Sequence, residues 1–226
     1  DGPELTALLD FYSHDQYPLF YGQWTDYTHK LIQSRSHSLP FAVLEQQSGP
    51  GGQQSYLHPT PRPGQIALWA TQGIAHGANL MCYFTWRTCP FGAEQHWHGI
   101  IDHDNRDTAR LAEIRTLGAQ MRELPDAFWR SVPEPFAAIV RDFDNETNDA
   151  RINTYSSGAR WEANQWQSGL LRRGVGVDQV WLRSGDESRE SDLSLIIAPH
   201  LRLLDESDVA RLRAFVERGA TLILGA

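Results

Sequence analysis

Apolar and polar positions along this chain follow a strand–loop–helix rhythm that repeats three times before residue 125. The segment "LLDFYSHDQYP" predicts a buried strand over Leu8 to Ser13, leading into a polar loop that ends at Pro18. "DYTHKLIQSR" predicts a short helix starting near a capping Asp26. "FAVLE", Phe41 to Glu45, is the second strand. A Gly/Pro/Gln loop follows over residues 46–64, longer than the usual internal connection, and that length points to use. "QIALWATQGIAHGA" has helical spacing at Ile66, Trp69, Ile74 and Ala78, with Gly77 as a stop signal. "NLMCYFTWR" predicts a third strand over Leu80 to Trp86. A polar loop from Thr88 to Asn105 then leads to the amphipathic helix "RDTARLAEIRTLGAQMREL", closed by Pro125.

Consecutive strand–loop–helix units imply parallel strands, and in each unit the unusual polar residues sit just after the strand. That is where a (β/α)8 TIM barrel keeps its active site. A whole barrel needs about eight units and about 250 residues, so residues 1–130 are expected to be its C-terminal portion. Both ends look cut: "DGPELTALLDF" opens mid-domain, and "ATLILGA" ends on a strand. After "SVPEPF" the pattern changes. "FAAIVRDFDN" is a strand ending in acidic residues, "WEANQWQSGLLRRGVGVDQVWL" a helix, a Gly break and a strand, and "LSLIIAPHLRLLDESDVARLRAFVERGATLILGA" a strand, helix and strand. Residues 131–226 are therefore expected to form a Rossmann-like, doubly wound α/β domain, incomplete as cut, with an assembly role. No G-x-G-x-x-G follows its first strand, so no nucleotide is expected there.

Composition narrows the partners. The 226 residues are 41% hydrophobic and 21% charged, ordinary for a globular chain. A net charge of −8 argues against nucleic acid. No apolar run is long enough for a bilayer, and a cytoplasmic location is expected. Cys82 and Cys89 have no metal-like spacing and form no disulfide framework. Eight tryptophans suit flat apolar faces for sugar rings as well as ordinary packing.

Two carboxylates stand out. Glu45 ends an apolar strand, a costly place for a charge, where the sheet fixes its backbone and the Gly-rich loop offers room for a ligand. The alternative is a glutamate that caps a loop or pairs with an arginine. Glu94 lies in "FGAEQHWHGIIDHD", crowded by His96, Trp97 and His98. The HExxH helix pattern is missing, so no metal and no cofactor are expected. Acids and imidazoles can instead clamp a hydroxylated ligand, with Trp97 as its apolar face. Asp102, His103 and Asp104 are expected to shape the turn into the next helix. His14, Asp15 and Tyr17 could line the same cleft, although a lone histidine is more often a satisfied structural group.

The ordered set "HDQYP", "LEQQSGPGG", "PRPGQIALWATQGIAHGAN", "YFTWRTCPFGAEQHWHGIIDHDN" and "LIIAPHLRLLDESDVARLRAFVERGATLIL" resembles glycoside hydrolase family 42, the β-galactosidases, over nearly the whole chain. The resemblance implies retaining hydrolysis of terminal β-D-galactosides on a (β/α)8 barrel, and a second α/β domain used in homotrimer formation. It implies Glu45 as the nucleophile and Glu94 as a ligand of galactose hydroxyls. It also implies a histidine near Glu94: the gapless match falls on Trp97, with His96 and His98 beside it, and His98 is favoured. Many relatives carry a Trp after "SGPGG" where this chain has Gln53, which would weaken stacking or move it to Tyr56. The family's acid/base, an Asn-Glu pair on an earlier strand, is expected upstream, because neither Glu4 nor Glu123 has the right context. The chain alone is thus expected to be inactive. Alternatives are an α-L-arabinopyranosidase or β-fucosidase on the same scaffold, a non-catalytic galactoside-binding relative, or an α/β domain acting alone as an interaction or amidotransferase-like module. Against the last, Ser131 to Ala226 shows no nucleophile elbow.

Overall fold

The first strand begins four residues later than the apolar run suggests. In the computed structural model Gly2–Thr6 form a short helix, α1, and the N–H groups of Leu8 and Leu9 bond back to the carbonyls of Leu5 and Thr6. That turn leaves Leu8 83% exposed. The strand β1 then covers Tyr12–Gln16. The structure describes residues 2–20, 23–52, 58–131, 133–152, 158–183 and 190–225. They fall into two units, one of residues 11–35 and 39–132, the other of residues 1–10, 36–38 and 133–226.

The first unit is a parallel sheet in the order β1, β2 (Phe41–Gln47), β3 (Ala78–Phe84), with helices between successive strands. Helix α2 (Trp24–His37) starts two residues before Asp26, whose carboxylate reaches back to the Gln23 N–H at 3.0 Å. Asp26 is therefore a first-turn partner of the cap position and not the cap itself. Helix α3 (Gln65–Ala75) has no side-chain cap of its own. Its N-terminus is served by Glu113 of α4 (Ala109–Arg122), which accepts from Gly64 N–H at 3.0 Å and Ala67 N–H at 2.8 Å. A carboxylate at the positive end of a helix is favourable. Gly77 ends α3 at φ 103°, and a Cβ there would lie 2.6 Å from Leu39 Cδ1. Thr108 caps α4 by accepting from Leu111 N–H, and Asp126–Trp129 add a single turn, α5.

The core follows from the apolar spacing. Leu31 of α2 packs on Phe41, Val43 and Ala78, while Tyr27, Ile66 and Trp69 form a second cluster. Each large side chain buried this way contributes about 1.5–3 kcal/mol.

The second unit is a parallel four-stranded sheet ordered β5 (Val177–Trp181), β4 (Ala137–Arg141), β6 (Leu195–Ala198), β7 (Thr221–Leu224). Its helices are α6 (Phe143–Ile152), α7 (Ala159–Leu171) and α8 (Glu206–Glu217). The chain winds from β4 to β5, then returns past β4 to β6, which is doubly wound topology with a switch point between β4 and β6. Helix α6 is not visible in the apolar pattern, because only Asn145 on it is buried. Asp142 starts it instead, accepting from the Asn145 N–H at 2.9 Å. No helix among the described residues is long and apolar enough to cross a membrane.

Candidate active site

Glu45 is not the last residue of its strand, which continues through Gln47. A β-bulge accounts for its position. On one side His14 pairs with Val43 and Asp15 with Glu45, skipping Leu44. On the other, Val43 pairs with Met81 and Gln46 with Tyr83. β2 thus carries one extra residue between Val43 and Gln46. A bulge breaks strict alternation and re-aims side chains. Here Gln46 and Gln47 are both buried, at 0% and 1% exposure, while Glu45 stays half-buried.

Tyr17, just after β1, donates from its hydroxyl to Glu45 Oε2 at 2.6 Å. Glu45 Oε1 has no hydrogen-bond partner among the described residues. Burial, the hydrogen bond to Glu45, and the charges of Glu45, Asp15 and Glu94 all push the Tyr17 pKa far above its usual value. Its phenol is therefore a permanent donor at any working pH. Asp15 is also pushed up, first by burial and then by the Glu45 charge. The charges of three carboxylates therefore act on one phenol.

An aromatic wall adjoins them. Tyr17 meets Phe20 edge-on at 5.6 Å and Trp97 at 5.4 Å, Phe20 lies 5.8 Å from Trp97, and His58 stands edge-on to Phe20 at 3.9 Å between centroids. Such edge-to-face pairs hold rings in fixed orientation.

Two of the glycines after Glu45, Gly49 and Gly51, sit at a close approach and not at an open space. They let two loops touch. A Cβ on Gly49 would lie 2.2 Å from the His98 carbonyl oxygen, and one on Gly51 would lie 2.6 Å from that of His96. The loops are zipped by Gly52 N–H to the His96 carbonyl at 3.3 Å and His98 N–H to the Pro50 carbonyl at 2.9 Å. Ser48 Oγ adds a bond to the Phe84 carbonyl at 2.7 Å.

The structure thus brings Tyr17, Glu45 and Trp97 together, with Glu94 close enough for its charge to act on Tyr17. The Glu94 side chain is exposed, on a turn closed by Trp97 N–H to its carbonyl. His96 is exposed too and takes part through its backbone. His98 is bonded to Asp102, not to the Glu45 cluster. Gln53 and Tyr56 lie outside the described residues. His14 does not line the cleft: its ring nitrogens are bonded to Ser34 Oγ and Gln16 Oε1, and burial lowers its pKa. Sequence reasoning missed Phe20, His58 and the Arg110 contact to Asp102. The four-residue spacing of His98 and Asp102 was the available signal for part of it. Among the described residues no three His, Cys, Asp or Glu side chains are grouped to hold a metal ion.

Carboxylates and aromatic rings gathered at the carboxyl edge of a parallel strand–helix sheet, followed in the chain by a doubly wound α/β unit, define a two-part protein of the (β/α)-barrel class. A family model described as β-galactosidase of glycoside hydrolase family 42 matches residues 1–124, and one described as the β-galactosidase trimerisation domain matches residues 136–226. The chain belongs to glycoside hydrolase family 42. It is 30% identical over 226 residues to the β-galactosidase BgaA of Clostridium cellulovorans, covering 96% of this chain and 33% of that protein. It resembles the solved β-galactosidase of the haloarchaeon Halorubrum lacusprofundi at 25% identity and TM-score 0.87, covering 100% of this chain and 35% of the other. It also shares the fold of the Bacillus circulans sp. alkalophilus β-galactosidase at 23% identity and TM-score 0.89, covering 99% and 33%. The first unit is accordingly a C-terminal portion of a (β/α)8 barrel, as the sequence pattern predicts. The chain spans about a third of the length of the relatives it matches.

Proposed function

We propose that this chain contributes the nucleophile and part of the sugar site to a retaining β-galactosidase, with residues 1–130 in the catalytic barrel and 131–226 in an assembly domain of a homotrimer. The observation that carries the reading is the Tyr17–Glu45 bond on the bulged strand, which occupies one carboxylate oxygen and leaves the other without a partner among the described residues. Glu45 attacks the anomeric carbon as the bond to the leaving oxygen breaks. A second carboxyl group, about 5 Å away in such enzymes, gives the leaving oxygen its proton and later takes one from the water that releases the sugar. That acid/base is expected from an earlier strand of the longer polypeptide. Tyr17 holds Glu45 in orientation by donating to Oε2. Trp97 supplies an apolar face, and Glu94 and His98 bond sugar hydroxyls. The matched trimerisation-domain model supports the oligomer.

The test treats the full-length polypeptide that carries this chain with a 2-deoxy-2-fluoro-β-D-galactosyl fluoride, then maps the labelled peptide by mass. The expected result is one label on the peptide holding Glu45, and none in Glu45→Gln, whose kcat falls by roughly 10³-fold or more. A label on another carboxylate sinks the assignment. A full-length protein that binds galactose and hydrolyses nothing would be a binding relative.

A further inference from the structure

The loop carrying Trp97 and His98 is held from two sides. One is the zipper to Pro50 and Gly52 described above. The other is a clamp that reaches the His98 ring. Asp102 Oδ1 accepts from His98 Nδ1 at 2.8 Å and from an Arg110 terminal nitrogen at 2.7 Å. Arg110 sits on the first turn of α4, with its side chain only 11% exposed, and its Nε also donates to the Gly99 carbonyl at 3.1 Å. Thr108, the cap of α4, donates to the Ile100 carbonyl at 2.5 Å. The start of one helix therefore fixes the loop at two successive carbonyls and a carboxylate.

The chemistry of that carboxylate decides which imidazole nitrogen faces it with a hydrogen. Burial alone would raise the Asp102 pKa, but the His98 hydrogen bond and the Arg110 charge and hydrogen bond outweigh it and hold it below the ordinary value. An ionised carboxylate can only accept, so His98 Nδ1 carries the hydrogen. In the neutral ring Nε2 is then a bare acceptor. Among the described residues Nε2 has no hydrogen-bond partner. His103, whose ring stands edge-on to His98 at 5.7 Å, is engaged elsewhere through Nε2 to the Cys89 carbonyl.

We propose that Asp102, clamped by Arg110, is a positioning residue that fixes the tautomer and tilt of His98 so that Nε2 accepts a hydrogen bond from one ring hydroxyl of the galactoside. This rests on the glycosidase reading above and assigns within it the residues that orient the histidine. A carboxylate that merely tied the loop to α4 would affect stability and leave hydroxyl recognition alone.

The experiment measures competitive Ki values of galactose and its 3-, 4- and 6-deoxy forms on the full-length enzyme, alongside thermal midpoints. Wild type is expected to bind one deoxy sugar about 10-fold or more weakly than galactose. His98→Ala should abolish that one discrimination. Asp102→Ala should cut it at least about 3-fold, with no further loss in the double variant. Asp102→Asn, which keeps Oδ1 as shared acceptor, should retain most of it. Should Asp102→Ala fail to fold, Arg110→Met, which frees Asp102 from α4, should still weaken the same discrimination. The proposal is overturned if Asp102→Ala and Arg110→Met lower the midpoint but leave the discrimination intact, or if His98→Ala keeps it. A wild-type enzyme that neither binds galactose nor cleaves galactosides would instead bring down the glycosidase reading itself.

Discussion

The two units of this chain share a design and differ in how it is finished. Both have parallel sheets, and in both the polar side chains gather at the carboxyl ends of the strands. In the α/β unit those groups satisfy one another. Arg141 is held by both oxygens of Glu146 and by Gln179 Oε1 at 3.0 Å. Asn145 Oδ1 accepts from the N–H groups of Arg202 and Leu203 at 2.7 and 2.8 Å. Arg183 meets Asp208 at 2.9 Å, and His200 meets Glu162 at 2.5 Å. Near the switch point, where such folds often bind ligands, these described groups are bonded to one another. In the barrel unit Glu45 Oε1 and His98 Nε2 are without partners among the described residues. Topology supplies a crevice in both, and chemistry is possible where the groups lining it are left open.

The largest effect separating the two is expected from Arg141→Met. It leaves Glu146 without its main cation in a buried setting and should cost about 3–5 kcal/mol in the α/β unit. The urea midpoint of the full-length protein should fall while kcat per folded molecule stays at wild-type level. A drop in kcat would mean that this end of the α/β unit is not closed off from the chemistry.

Gly49→Ala probes the other unit. Its Cβ would sit 2.2 Å from a backbone oxygen, so the Trp97–His98 loop must move. A cost of about 1–3 kcal/mol is expected, together with a raised KM for galactosides. An unchanged KM at a lowered thermal midpoint would separate this loop from the sugar site.

The smallest effect comes from an unpartnered group away from the cleft. The Tyr83 hydroxyl is buried without a partner among the described residues, and burial and the Glu113 charge push its pKa up to about 12. The unfolded phenol titrates near 10, so the unfolded chain gives up its proton first. Stability is fully present below pH ~10 and declines as pH rises from there toward 12. Tyr83→Phe removes a desolvated hydroxyl and should add up to about 1 kcal/mol at pH 8. Urea midpoints at pH 8 and pH 11 should show a flatter alkaline decline, with kcat unchanged. Lost activity would mean that this hydroxyl has a role in the cleft.

Much of this was legible in local spacing. The apolar runs gave all three barrel strands and the helices between them, and Gly77 and Pro125 marked real stops. The errors have physical causes. Leu8 and Leu9 read as strand because they are apolar, but their N–H groups close a turn on α1. Helix α6 hid because its face is polar and its start depends on one Asp142 bond.

The sequence by itself determined the period of each element, the parallel architecture that follows from strand–helix repetition, and the residue types at the strand ends. Those depend on neighbours within a few positions. Tertiary structure alone decided that a bulge turns Glu45 toward Tyr17, that Gly49 and Gly51 serve a close approach of two loops, and that Arg110 reaches Asp102 to set the His98 ring. Each of those depends on register or contact between segments that the local pattern leaves free, and a one-residue shift in register redirects a side chain to the other face of a sheet.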